Sequence, residues 1–137
     1  MLELELKDNM YRIGTLNVFE QWNVSRRLMP ILGSLTDVED DDSLTKALMP
    51  ALLALGNMSD EDTEYVLNTC LNVVMRKSPA IDSAWAKVLG GKNTIMFADI
   101  DMATMLRLTI TVIVENMGSF FTRAALEDSI AAAMRHR

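Results

Sequence analysis

The stretch from Phe97 to Phe121 constrains this chain more than any other. Between Met102 and Met117 it is apolar at Met102, Met105, Leu106, Leu108, Ile110, Val112, Ile113, Val114 and Met117, and a narrow polar line runs through Thr104, Arg107, Thr111 and Glu115. Steps of three, four and four between those polar residues have helical spacing. The β-branched run Thr109 to Val114 also alternates, which would suit a strand. Length settles the choice, because neither Gly nor Pro falls between Asp101 and Gly118. A helix that is apolar around most of its circumference must be surrounded by other elements, so the spacing predicts a central post within a helical domain.

The rest of the chain reads as elements gathered around that post. Leu2, Leu4 and Leu6 alternate with Glu3, Glu5 and Lys7, which puts the leucines on one face of a strand. Asp8 and Asn9 supply turn chemistry, and Tyr11 to Ile13 return as a second strand of a small hairpin. Asn17 and Glu20 have capping-box spacing, so a first helix follows, with Val18, Val24, Leu28, Met29, Leu32 and Leu35 on one arc and Glu20, Asn23, Arg26 and Arg27 opposite. Pro30 kinks or stops that helix near Met29. An acidic linker, Val38 to Asp42, leads to a second helix over Ser43 to Leu55, kinked at Pro50 and ended by Gly56 and Asn57. Ser59, Asp60, Glu61 and Asp62 cap a third helix expected to reach Lys77, with Val66, Cys70, Val73 and Val74 as its stripe and Pro79 beyond it. A short helix over Ser83 to Leu89 holding Trp85 inward, an extended Lys92 to Ala98, an N-cap at Asp99 or Asp101, and a last helix beginning at Ser119 or Thr122 complete the reading. The expected fold is therefore mainly α: one domain over residues 1–137, a bundle of about five helices (15–137) with a small N-terminal β-hairpin (1–14).

A length of 137 residues suits one domain with a real core. A net charge of −6 argues against nucleic-acid binding, which needs clustered Lys and Arg. One cysteine, Cys70, forms no internal disulfide, no leader-like segment opens the chain, and no run approaches a membrane span. A soluble cytoplasmic protein is expected. Met contributes 11 residues, and this unbranched, polarisable side chain suits both irregular cores and adaptable surfaces. Met29 and Met49, each beside a helix-kinking proline, are the candidate lining of a partner-binding groove.

No chemical motif withstands inspection. Gly91–Lys92 lacks the earlier glycine and the following hydroxyl of a phosphate loop, since those positions are Ala86 and Asn93. Asp37, Glu39 and Asp41 begin like a calcium loop, but Asp42 and Leu48 occupy its glycine and closing glutamate positions. Asp99 and Asp101 read as helix caps rather than an acid–base pair. Cys70 on an apolar stripe and His136 in the tail make neither a nucleophile pair nor a zinc site. Arg26 and Arg27 suit either a partner's carboxylates or a solvated face. Trp22, Trp85, Phe97, Phe120 and Phe121 fit either a core or an interface. No catalytic residue, cofactor or metal is expected.

Two segments carry a resemblance. Tyr11–Arg12–Ile13–Gly14–Thr15–Leu16–Asn17 leading into Val18–Phe19–Glu20–Gln21–Trp22–Asn23–Val24–Ser25–Arg26–Arg27–Leu28 is the first. The second is Met96–Phe97–Ala98–Asp99–Ile100–Asp101 before a helix ending Val114–Glu115–Asn116–Met117–Gly118–Ser119–Phe120–Phe121. In these the chain resembles the small tail-assembly chaperones of tailed bacteriophages. The resemblance implies a non-enzymatic protein of the host cytoplasm that keeps the tape-measure protein soluble and helps the tail-tube subunit polymerise around it. It implies no active-site residue to carry over. From the residues alone, a small helical adaptor or regulatory interaction domain remains the alternative, and self-association remains open for either.

Overall fold

The computed structural model describes residues 2–28, 55–78 and 84–121. Its elements in chain order are β1 (Leu2–Leu6), β2 (Asn9–Ile13), α1 (Val18–Leu28), α2 (Asp60–Leu71), β3 (Val74–Lys77), β4 (Trp85–Lys87), β5 (Leu89–Gly91), β6 (Thr94–Ile95) and α3 (Met102–Phe121). Strands β1 to β4 form an antiparallel sheet in sequence order, and β5 pairs with β6 in a separate two-stranded ribbon. The mainly α, five-helix expectation is thus overturned. Three helices and six strands are described, so the class is α+β, with α3 packed against strand β2 of the antiparallel sheet.

The hairpin forms as its alternation predicts, with Leu6 opposite Asn9 and Leu2 opposite Ile13. Its two-residue turn is Lys7–Asp8, one position earlier than the expected Asp8–Asn9. Both turn residues have positive φ, 49° and 66°, the conformation whose twist matches that of paired strands. The side chain of Asn9 donates to the Lys7 carbonyl at 3.1 Å and steadies that turn from outside it.

The third predicted helix starts as expected and stops early. Ser59 accepts from the Asp62 amide at 3.1 Å, and three acidic residues occupy the first turn. The helix ends at Leu71, however, and Val74–Lys77 is β3 rather than a last helical turn. The β-branched pair Val73–Val74 meets a strand edge already offered by β2: Ile13 lies opposite Val74 and Tyr11 opposite Arg76. Tertiary pairing overrides the helical reading of Arg76 and Lys77 as dipole-compatible charges. The predicted Ser83–Leu89 helix is likewise absent from the described part, where Trp85–Lys87 pairs with β3 and Leu89–Gly91 with β6. Trp85 lies half-buried beneath the Arg12 guanidinium, 4.0 Å from its ring centroid, instead of pointing into a helical core. Lys92 to Ala98, expected to be a plain extended connection, contains a turn at Lys92–Asn93 and strand β6.

The central helix is where its pattern puts it. Every residue from Leu108 to Ile113 is buried, nearly two full turns, so α3 is enclosed on all sides there. The expected polar line is only partly wet: Arg107 and Glu115 are exposed, whereas Thr104 and Thr111 are buried. Thr111 and Thr109 satisfy their hydroxyls by donating to carbonyls four residues back, at 2.7 and 2.9 Å. Asp101 is the cap, accepting from the Thr104 amide at 2.8 Å. Gly118 does not end the helix, which continues to Phe121, so Ser119 belongs to α3 and does not begin a last helix as expected. α3 packs against α2, α1 and β2, and the core joins Tyr11, Ile13, Val66, Val74, Leu108 and Val112.

The expected helix over Ser43 to Leu55 (apart from buried Leu55), the acidic linker, both Leu–Met–Pro strings and the last helix after Phe121 lie outside the described residues, as do Met29 and Met49.

Candidate protein interface

Strand β2 hands the chain to α1 through Gly14, Thr15, Leu16 and Asn17, and this linker is held on both sides. The Gly14 amide donates to the Val73 carbonyl at 2.8 Å. From α3, the Asn116 side chain accepts from the Leu16 amide at 2.9 Å and donates to the carbonyls of Gly14, at 3.2 Å, and Val112, at 2.9 Å. Asn17 and Glu20 then form the expected reciprocal cap: the Glu20 amide donates to Asn17 Oδ1 at 2.8 Å and the Asn17 amide to Glu20 Oε1 at 3.1 Å. The start and orientation of α1 are therefore fixed.

Which face α1 presents follows from that orientation. Val24, Ser25 and Leu28 are buried, with the Ser25 hydroxyl 3.1 Å from Met117 Sδ of α3. On the opposite side Val18, Phe19 and Trp22 are 75%, 78% and 53% exposed. Val18, Trp22 and exposed Arg26 stand four residues apart in one row, and Phe19 stands beside Trp22. Val18, expected on the inward arc, is outside it. Large apolar side chains normally leave water, so three together at the start of one helix make a candidate contact surface. The signal was present in the sequence as apolar residues on both sides of α1, with the strong cap at Asn17 fixing its first turn.

Arg27 is committed elsewhere. It donates to Asp62 at 3.1 Å and lies 3.9 Å over the Tyr65 ring, tying α1 to α2. Arg26 makes only a 3.2 Å bond to Asn23 and joins no ion pair among the described residues. Two clefts border α2. One, of about 320 Å³, is lined by Glu20, Asn72, Lys87 and Gly90–Lys92; the other, of about 230 Å³, by Arg27, Glu61 and Tyr65. Gly91–Lys92 belongs to the β5–β6 turn, where Asn93 has φ 59° and exchanges two 2.7 Å bonds with Asn68 of α2. That is a structural clasp.

The remaining candidate residues take structural positions. Cys70 is buried, and burial, with the nearby Glu20 charge second, pushes its thiol up to about 12, far from a reactive thiolate. Asp99 pairs with Arg76 at 2.8 Å, and this bond holds its carboxyl below the ordinary range. Asp101 is held lower still by the Lys7 ammonium and then by Thr104. Arg76 is only 9% exposed along its side chain and stacks 4.5 Å from Phe97, while its Nε has no partner among the described residues. The two aspartates thus hold the loop before α3 to the sheet and hairpin. His136 and the calcium-like acidic run lie outside the described residues, as do the side chains of Phe120 and Phe121. No cluster of metal-ligating side chains occurs among the described residues, and no described helix is long and apolar enough to cross a membrane.

A sequence-family model described as phage tail assembly chaperone protein, TAC, matches residues 7–127. The chain belongs to this family. Within the chaperone-family match lie β2, the clamped linker, all of α1 with its exposed row, α2 and α3. No curated protein and no solved structure matches the chain.

Proposed function

We propose that this tail assembly chaperone is non-enzymatic, binds the tape-measure protein during tail morphogenesis in the host cytoplasm, and promotes polymerisation of the tail-tube subunit around it. Family membership supplies the process. The observation that carries the binding role is the exposed patch of Val18, Phe19 and Trp22 on a helix whose orientation is fixed by a reciprocal cap and by Asn116. A chaperone of a long, aggregation-prone client needs apolar contacts on a rigid support, together with an acidic surplus that keeps the complex dispersed. The net charge of −6 fits that need. The adaptor alternative has no observation of its own in its favour once the family is known.

Co-expression with the tape-measure and tail-tube proteins tests the proposal. The expected result is a soluble complex with the tape-measure protein, and tube formation that slows when the chaperone is withheld. A tape-measure protein that stays equally soluble alone, with tubes assembling at the same rate, would refute it.

A further inference from the structure

We propose that the outer face of α1 docks one amphipathic α-helix of the client, antiparallel to α1, with a carboxylate in that helix's first turn set against Arg26. This rests on the chaperone reading and adds the chemistry and polarity of the bound segment. Val18, Phe19 and Trp22, at 75%, 78% and 53% exposure, offer together roughly 400 Å² of apolar surface. A stable dimer needs about 800 Å² from each partner, so the patch is too small to hold a second copy and the right size for the stripe of one helix.

Charge sets the direction. Arg26 stands about 6 Å, one helical turn, beyond Trp22 on the same row. It is exposed and free of ion pairs among the described residues, whereas Arg27 beside it is bound to Asp62 and Tyr65. A client carboxylate one turn from its apolar stripe meets Arg26. Carboxylates stabilise helices most from the first turn, so a client helix that carries its carboxylate there lies with its N-terminal end at the C-terminal end of α1, which also sets the two helix dipoles antiparallel.

Three synthetic 18-residue peptides test this, each with leucines at helical spacing in an alanine–glutamine background. One carries glutamate in the first turn, one lysine there, and one glutamate in the last turn. Calorimetric titration at low salt measures affinity, and emission of Trp22 in a Trp85→Phe variant reports contact. The first-turn glutamate peptide should shift Trp22 emission to the blue and bind roughly two- to fivefold tighter than either control. Arg26→Gln or high salt should erase that margin. Trp22→Lys should abolish binding while the melting temperature stays within about 2 °C of wild type. Equal affinity for all three peptides overturns the proposal. So does a blue shift on concentrating the protein alone, which would mean a second copy, or one reversed by truncation after Phe121, which would mean the chain's own tail. If Trp22→Lys still captures the tape-measure protein, the docking site falls and the chaperone reading stands. If wild type binds the peptide as expected but never the tape-measure protein, the docking chemistry stands and the chaperone reading falls.

Discussion

Asn116→Ala isolates the clamp that orients α1. In the folded chain the Asn116 amide group makes three bonds, to Leu16, Gly14 and Val112, and Leu16 is only 1% exposed. Truncation leaves the Leu16 N–H buried without its acceptor, at about 1–3 kcal/mol. The lost bond to Gly14 adds about 1 kcal/mol, and alanine's better helix propensity returns roughly 0.5 kcal/mol. The net expectation is ~1.5–3.5 kcal/mol, which for a chain of this length lowers Tm by roughly 5–14 °C. Urea unfolding followed by far-ultraviolet circular dichroism reads it, with a lower midpoint at unchanged slope. Asn116→Asp is the informative companion. Its carboxylate still accepts from Leu16 but faces the carbonyls of Gly14 and Val112 with no proton to donate, so it too is destabilised, and less so in acid where the carboxyl regains a donor. If Asn116→Ala unfolds within ~0.5 kcal/mol of wild type, the clamp is not what holds the linker.

Three further outcomes follow from the packing and charges. A Cβ at Gly14 would stand 2.8 Å from the Val73 carbonyl oxygen, a backbone atom that cannot swing away, so Gly14→Ala should cost ~2 kcal/mol or more by chemical denaturation. Ile113→Asp puts an unpaired charge into the enclosed part of α3 and should cost over ~4 kcal/mol; a variant that melts like wild type would mean the helix is not enclosed. Asp99 and Asp101 both titrate lower folded than unfolded, so below about pH 5 the unfolded chain binds more protons, and their contribution, complete above that pH, is lost as pH falls through the folded values. Asp99→Asn with Asp101→Asn should therefore flatten the acid limb of Tm against pH, and an unchanged limb would assign the acid sensitivity to other carboxylates.

What the sequence made legible were the features decided locally. The Leu–Glu alternation of β1, the Asn17–Glu20 and Ser59–Asp62 caps, and the apolar circumference of α3 each follow from a few neighbouring residues, and each appears at its expected place. The strands β3 and β4 were illegible for the opposite reason. Val74–Lys77 and Trp85–Lys87 are extended because β2 supplies an edge, and nothing within those short segments distinguishes that from a helix end or a short helix. The exposed row of α1 was hidden differently. Val18 shares its turn with Asn17 and Glu20, and without the direction of Ser25 toward Met117 its apolar side chain is naturally assigned to the core.

The enclosing of α3 also dictates a timetable. This helix is the last described element in chain order, and its Asn116 reaches back 100 residues to Leu16. At about 5–20 residues per second, synthesis from Leu28 to Met117 takes roughly 5–20 s, during which Val24 and Leu28 have no α3 to cover them. The hairpin can form early, but its helical side cannot close until almost the whole chain has left the ribosome. Long-range closure of this kind folds slowly. Premature termination anywhere before Asn116 therefore yields a sheet with an uncovered face, so the nascent chain passes through an aggregation-prone exposure of its own before α3 closes over it.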